Sequence, residues 1–260
     1  MNILIPTRNR AGNQLTANTL RSAGIEPILV INHDDRAKYN FHTLKVHASN
    51  IVEKRQAIID KFGSEGKLVM CDDDMRFYTR RMSFASQILN RSSDFTTDRF
   101  SKATTKEIAA LFQRISDLLN FEVHVGVASR FMANQQKPPT RIGGKYIRVL
   151  AYNFNNMKSG PPPRYRFPGH EDHDFNMQMQ SMGYHCVVIT SYAQDDLGQF
   201  KPGGCATWRT PESDIAEMQR FAAAWPGIVS FGKPDEKNPI GRMHIAWKKL
   251  REKSQSLFLS

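Results

Sequence analysis

The chain opens with short apolar runs separated by amphipathic stretches, the alternation expected of a parallel α/β sheet. Asn2 to Ile5 reads as a strand, Asn13 to Ser22 as a helix closed by Gly24, and Pro27 to Ile31 as a second strand, wholly apolar after its proline. Leu44 to His47 is a weaker third strand, Asn50 to Phe62 a helix stopped at Gly63, and Lys67 to Cys71 a fourth strand. Thr104 to Glu107 is a capping box, after which Ile108, Leu111, Phe112, Ile115, Leu118 and Leu119 recur at helical spacing. Further strands are expected at Val123 to Ala128, Tyr146 to Phe154, His185 to Thr190 and Met243 to Trp247. Helices are expected from Glu171 to Met182, closed by Gly183, and from Asp214 to Trp225. Arg76 to Arg99 has no clear period and reads as a mobile loop or an inserted segment. Asn134 to Gly144 and Lys158 to Pro163 read as loops, and Lys201 to Gly204 as a flexible turn. No repeat or low-complexity tract interrupts the pattern, so residues 1–260 are expected to form a single domain built on one mixed α/β sheet flanked by helices.

The fourth strand carries the first chemical signal. Leu68-Val69-Met70-Cys71 runs directly into Asp72-Asp73-Asp74. Carboxylates crowded at the tip of a buried strand repel one another unless a cation neutralises them. Hard ions such as Mg²⁺ or Mn²⁺ favour carboxylate oxygens and bridge them to phosphate. Strand tips are also where open α/β sheets place ligands, so a metal–phosphate site is expected here.

Composition narrows the partner. With 36 Lys and Arg against 25 Asp and Glu, the net charge is +11, which favours a polyanionic partner, nucleic acid foremost. Arg76, Arg80, Arg81, Arg91, Arg99, Arg141, Arg148, Arg164 and Arg166 are interleaved with Phe77, Tyr78, Phe100, Tyr146, Tyr165 and Phe167. That mixture suits phosphate contacts combined with base stacking. The first residues are too short an apolar run for a signal peptide, and no segment has the ~20 apolar residues of a membrane span. Cys71, Cys186 and Cys205 are odd in number and lack metal-binding spacing. A cytoplasmic enzyme, without membrane attachment, is therefore expected; oligomeric state is not legible.

Four segments together resemble a known family. Ile3-Leu4-Ile5-Pro6-Thr7-Arg8-Asn9-Arg10 is similar to the opening of GT-A glycosyltransferases, and Asp72-Asp73-Asp74 resembles their DxD motif. Gly169-His170-Glu171-Asp172-His173-Asp174-Phe175, followed by Gly183-Tyr184, resembles their acceptor-side Glu-Asp motif, and Lys201-Pro202-Gly203-Gly204-Cys205 a Lys/Gly loop of small phage-type members. Gly160-Pro161-Pro162-Pro163-Arg164-Tyr165-Arg166-Phe167 narrows the likeness to the TET-associated glycosyltransferases of bacteriophages.

That resemblance implies a GT-A-like fold, with residues 1–100 as the nucleotide-sugar half and 101–260 as the acceptor half. It implies a hexosyl transfer from a nucleotide sugar (UDP-glucose or UDP-N-acetylglucosamine) to a hydroxyl acceptor, 5-hydroxymethylcytosine in phage DNA. Mn²⁺ or Mg²⁺ would be held by Asp74 and Asp72, with His244 as a third ligand. The donor would be bound by Pro6, Thr7, Arg8, Arg10, Asp72, Asp73, Lys201, Gly203 and Gly204. The resemblance makes Asp172 the general base, Glu171 the group that holds the acceptor or positions the base, and Asp174 the runner-up base. Alternatives from other classes are transfer to a saccharide, lipid or protein, a nucleotidyltransferase releasing pyrophosphate, and a non-catalytic DNA-binding module.

Overall fold

A computed structural model describes residues 1–81, 99–135, 138–196, 210–233 and 241–258. Their centre is one mixed sheet. Its first four strands are β1 (Asn2–Pro6), β2 (Ile28–Asn32), β3 (His42–Val46) and β4 (Leu68–Cys71). Next come β5 (Met75–Arg80), β6 (Phe100–Lys102), β7 (His124–Ser129), β8 (Thr140–Ile142), β9 (Val149–Tyr152) and β10 (Val187–Asp196). Side by side they run β3-β2-β1-β4-β9-β7-β10-β5-β6, with β8 also pairing β10. Strands β3, β2, β1 and β4 are mutually parallel, with Leu4 opposite both Ile28 and Met70. Strand β9 then inserts antiparallel between β4 and β7. Strands from both halves of the chain thus share one sheet.

Alternation along β1 sorts the core into two layers. Ile3 and Ile5 face helices α1 (Leu15–Ser22) and α3 (Thr105–Leu118), packing with Leu20, Leu111, Phe112 and Ile115. Leu4 faces the other way, toward α2 (Ile51–Phe62) and α5 (Glu171–Ser181), with Ile58, Phe62, Phe175 and Met179. Local signals set the helix starts. Asn50 Oδ1 accepts from Glu53 N at 3.1 Å, and Thr104 N donates to Glu107 Oε2 at 2.8 Å, closing the expected capping box. A third cluster joins Met177 of α5 to Phe221 of α6 (Pro211–Ala224), Ile228, Val229 and Leu250 of α7 (Trp247–Phe258). There β11 (Val229–Phe231) and β12 (Met243–Ile245) form a separate antiparallel pair.

Several expectations are corrected. The aperiodic stretch begins as a strand, β5, and its residues 82–98 lie outside the described residues, as does the expected Lys201–Gly204 turn. Residues 140–142, expected to be loop, form β8 on the edge of β10. The strand expected from Tyr146 starts only at Val149, because Arg148 adopts φ 70, a left-handed conformation outside the extended region that a regular strand needs. Tyr146 instead lies over β7, where a Cβ on Gly126 would collide with its ring. Beyond Ile245 the chain turns into α7, which the sequence reading left out. Phe77, Phe100, Tyr146 and Tyr165 are core residues exposed by 5% or less, so they cannot stack on bases.

Candidate active site

Because β1 and β4 are parallel neighbours, their following loops leave the same edge of the sheet side by side. A cavity of about 240 Å³ opens there. Its walls bring together Pro6, Thr7, Arg8 and Arg10 after β1, Asp72, Asp73 and Asp74 after β4, and Glu171 at the start of α5. Asn32 at the end of β2 and the first turns of α2, including Asn50, Lys54 and Arg55, complete it.

The three acids have different surroundings. Asp73 is 8% exposed and tied down: Thr7 Oγ1 donates to it at 2.6 Å, and Arg10 pairs with its other oxygen. Burial nevertheless lifts its pKa to about 6. Asp72 accepts from Arg55 Nη2 at 2.7 Å, and burial outweighs that guanidinium in raising its pKa. Asp74 has Arg10 at 3.7 Å and accepts no hydrogen bond from a described residue; burial, then the charge of Asp72, raises its pKa. Two tethered acids and one open one are the form in which a strand tip can offer a carboxylate to a cation.

Arg55 is the residue that sequence reasoning missed. It is 2% exposed and pairs with Asp72, with Glu171 at 3.6 Å, and with Asp172. One guanidinium thereby joins the acid triplet to the Glu-Asp pair of α5. Its signal was present in α2, where Ile51, Arg55, Ile58, Ile59 and Phe62 share the inward face at i, i+4, i+7, i+8 spacing. An arginine on an apolar stripe requires buried partners. Lys54 beside it is 4% exposed and donates to Thr7 O at 2.7 Å, and burial lowers its pKa to about 8.

Arg148 is a second connector. Its N–H donates to Asp172 Oδ2 at 3.0 Å, and its carbonyl accepts from Asp72 N at 3.1 Å. Its side chain pairs with Asp196 at 2.7 Å, at the end of β10. A non-glycine residue at φ 70 with three such ties is the kind of strain that surrounding structure must hold in place. Asp196, another missed residue, was signalled only by the adjacent acids Asp195-Asp196.

Not every expected site residue converges. Asp172 lies just behind the cavity wall, with both oxygens engaged by Arg55 and Arg148. Asp174 is fully buried on the other side of α5, where Arg166 Nε (2.8 Å), Gln178 Nε2 (2.7 Å) and Trp225 Nε1 (2.8 Å) all donate to it. That satisfied acid is placed to hold α5 against α6, away from the cavity. His244 sits exposed on β12, opposite Ser230, and does not line the cavity, which corrects its expected place beside Asp74 and Asp72. Lys201, Gly203 and Gly204 lie outside the described residues.

Among the described residues no group of three His, Cys, Asp or Glu side chains is assembled to hold a metal. Mg²⁺ and Mn²⁺ do not require one, since they are commonly held by one or two carboxylates plus substrate phosphates. Asp74, with Asp72 adjacent, fits that sparse mode.

A parallel-strand edge carrying acids between arginines and a buried lysine has the chemistry to hold a phosphorylated ligand. The family model of the TET-associated glycosyltransferases matches residues 1–201, and the chain belongs to that family; it is a glycosyltransferase. Among curated proteins no match to the sequence is found. Solved structures overlap at low similarity. One is a protein from Bacillus anthracis assigned as a glucose-1-phosphate thymidylyltransferase in complex with sucrose, at 10% identity, 90% of this chain, 98% of that chain and a TM-score of 0.41. Another is a UDP-glucose pyrophosphorylase complexed with UDP-glucose, at 8% identity, 86% of this chain, 98% of that chain and a TM-score of 0.40. No described helix is long and apolar enough to cross a membrane.

Proposed function

We propose that this glycosyltransferase takes a sugar from a UDP-sugar and places it on the hydroxymethyl group of 5-hydroxymethylcytosine in DNA. One observation carries the donor half: a single cavity is walled by the loop after β1, the acid triplet and Glu171 of the acceptor-side helix. Arg8, Arg10 and Lys54, with the N-terminus of α2, meet the diphosphate with positive charge. Asn32 is 5% exposed and its Oδ1 has no partner, so the cavity offers a buried acceptor suited to the N3–H of uracil. DNA as acceptor is supported by family membership and by the +11 net charge.

In the reaction the acceptor oxygen bonds to the anomeric carbon as the bond from that carbon to the diphosphate oxygen breaks. Negative charge grows on the departing diphosphate, where preorganised cations stabilise it most. Arg10 and Lys54 supply that charge from the protein, and a divalent ion held by Asp74 and Asp72 would act there as a Lewis acid. The acceptor hydroxyl must lose its proton during attack, and we assign that proton to Asp172, whose Oδ1 must leave Arg55 to face the acceptor. Glu171, on the cavity wall, orients sugar or acceptor hydroxyls.

Asp172→Asn and Glu171→Gln test this assignment. Asp172→Asn should lower turnover by about 10²–10⁴-fold, the usual worth of general base catalysis, while UDP still binds. Glu171→Gln should lose less. The opposite order, with Asp172→Asn active and Glu171→Gln inert, would move the base to Glu171. Release of pyrophosphate in place of UDP would make the enzyme a nucleotidyltransferase.

A further inference from the structure

Strand β5 leaves the acid triplet at Met75, and its side chains alternate between two faces. Met75 and Phe77 turn toward α3, where Phe77 meets Phe112 edge to face. Arg76 and Tyr78 turn to the opposite face, and Lys102 of β6, opposite Tyr78 in register, shares it. Arg130, the first residue of α4 (Arg130–Asn134), holds its guanidinium 4.3 Å from the centre of the Tyr78 ring. Arg76 and Lys102 are exposed. Asp195 stands across the ladder from Arg76.

Beside these cations a phenyl ring stands in solvent. Phe131 is 75% exposed although α4 is anchored: Ala133 is buried and its carbonyl accepts from Arg80 Nη2 at 3.2 Å, and Asn134 Oδ1 accepts from Arg99 N at 3.1 Å. Helix α4 also starts at the catalytic edge of the sheet, since Ser129 pairs Gln194 while Met75 pairs Asp196 on the same strand. Exposed cations therefore run outward from the acids along β5 and β6, and Phe131 stands in solvent on the neighbouring α4.

We propose that this face carries the backbone of a duplex DNA acceptor, and that Phe131 enters the base stack where the target nucleotide is drawn out. The inference rests on the DNA-acceptor reading above. A base inside a duplex cannot reach a cavity at a strand edge, so it must be extruded. Apolar side chains inserted at a base step hold such a distortion open, while Arg76 and Lys102 would offset the phosphate charge.

The test uses the full chain, a nucleotide sugar, and oligonucleotides carrying 5-hydroxymethylcytosine, either as duplex or as single strand. Arg76→Glu/Lys102→Glu should weaken duplex binding at least tenfold and shallow its salt dependence by about two units of slope, as expected for two lost phosphate contacts. UDP-dependent thermal stabilisation should stay as in wild type. Phe131→Ala should cut transfer to duplex at least tenfold yet spare transfer to the single strand, which needs no extrusion. Phe121→Ala is the control, because Phe121 is 84% exposed but precedes β7 at the opposite edge of the sheet. Wild-type transfer to duplex that both sets of variants leave unchanged would overturn this face while sparing the acceptor reading. Phe131→Ala losses equal on duplex and single strand would overturn the wedge. Failure of the wild type to transfer to any DNA would instead overturn the acceptor reading, and this inference with it.

Discussion

Arg55 offers the sharpest physical prediction. It is 2% exposed and faces Asp72, Glu171 and Asp172 together. Replacing it with methionine keeps most of the volume but leaves those carboxylates without their shared cation. Breaking a buried ion pair by removing one partner costs about 3–5 kcal/mol. In a chain of this size each kcal/mol moves Tm by about 2–4 °C, so Arg55→Met should melt roughly 6–20 °C below wild type near pH 8. The pH dependence has a definite sign. The Asp72 carboxyl is already pushed above its ordinary value by burial, and without Arg55 it is pushed further. A group whose folded pKa is raised binds more protons in the folded state, so its contribution is present at low pH and lost as pH rises through the folded pKa. The Tm gap between Arg55→Met and wild type should therefore narrow from pH 8 to pH 5. Thermal melts across that range decide the matter. A variant that melts with wild type at pH 8, or a gap that widens on acidification, would refute Arg55 as the shared counter-ion.

Other substitutions separate binding, chemistry and support. Lys54→Met should weaken UDP binding about 10–100-fold at pH 7, the worth of a charged hydrogen bond. Wild-type affinity should itself decline as pH rises past about 8, where Lys54 loses its proton, and titration calorimetry should find that decline gone in the variant. Asp74→Asn should abolish any added thermal stabilisation by Mn²⁺ in the presence of UDP, whereas an unchanged Mn²⁺ effect would exclude Asp74 as its ligand. Asp174→Ala should cost about 2–4 kcal/mol through its lost buried partners, with turnover below its melting range close to wild type. A stable but inactive Asp174→Ala protein would return Asp174 to the chemistry.

The parallel half of the fold was legible because strands β1, β2 and β4 are buried on both faces and so read as continuous apolar runs. Strand β5 was hidden because its alternation lasts only from Met75 to Phe77, after which Tyr78, Thr79 and Arg80 offer no further apolar position to continue a period of two. Burial of Phe100, Tyr146 and Tyr165 is a tertiary property that local composition does not record. The acid triplet announced itself because like charges following a buried strand are costly. Arg55 did not, since its meaning depends on partners 17 and 117 positions away, Asp72 and Asp172. Residue type alone pointed to His244 as a third ligand, and its place on the separate β11–β12 pair removes it from the cavity.

The most direct measurement of the proposed activity is nucleoside mass analysis of DNA incubated with the enzyme, a UDP-sugar and Mn²⁺. The substrates are matched duplexes containing cytosine or 5-hydroxymethylcytosine. The account predicts that only the hydroxymethylated nucleoside gains the mass of one sugar residue, with UDP released in equal amount. Equal modification of both duplexes, or UDP released with no sugar on either, would contradict it.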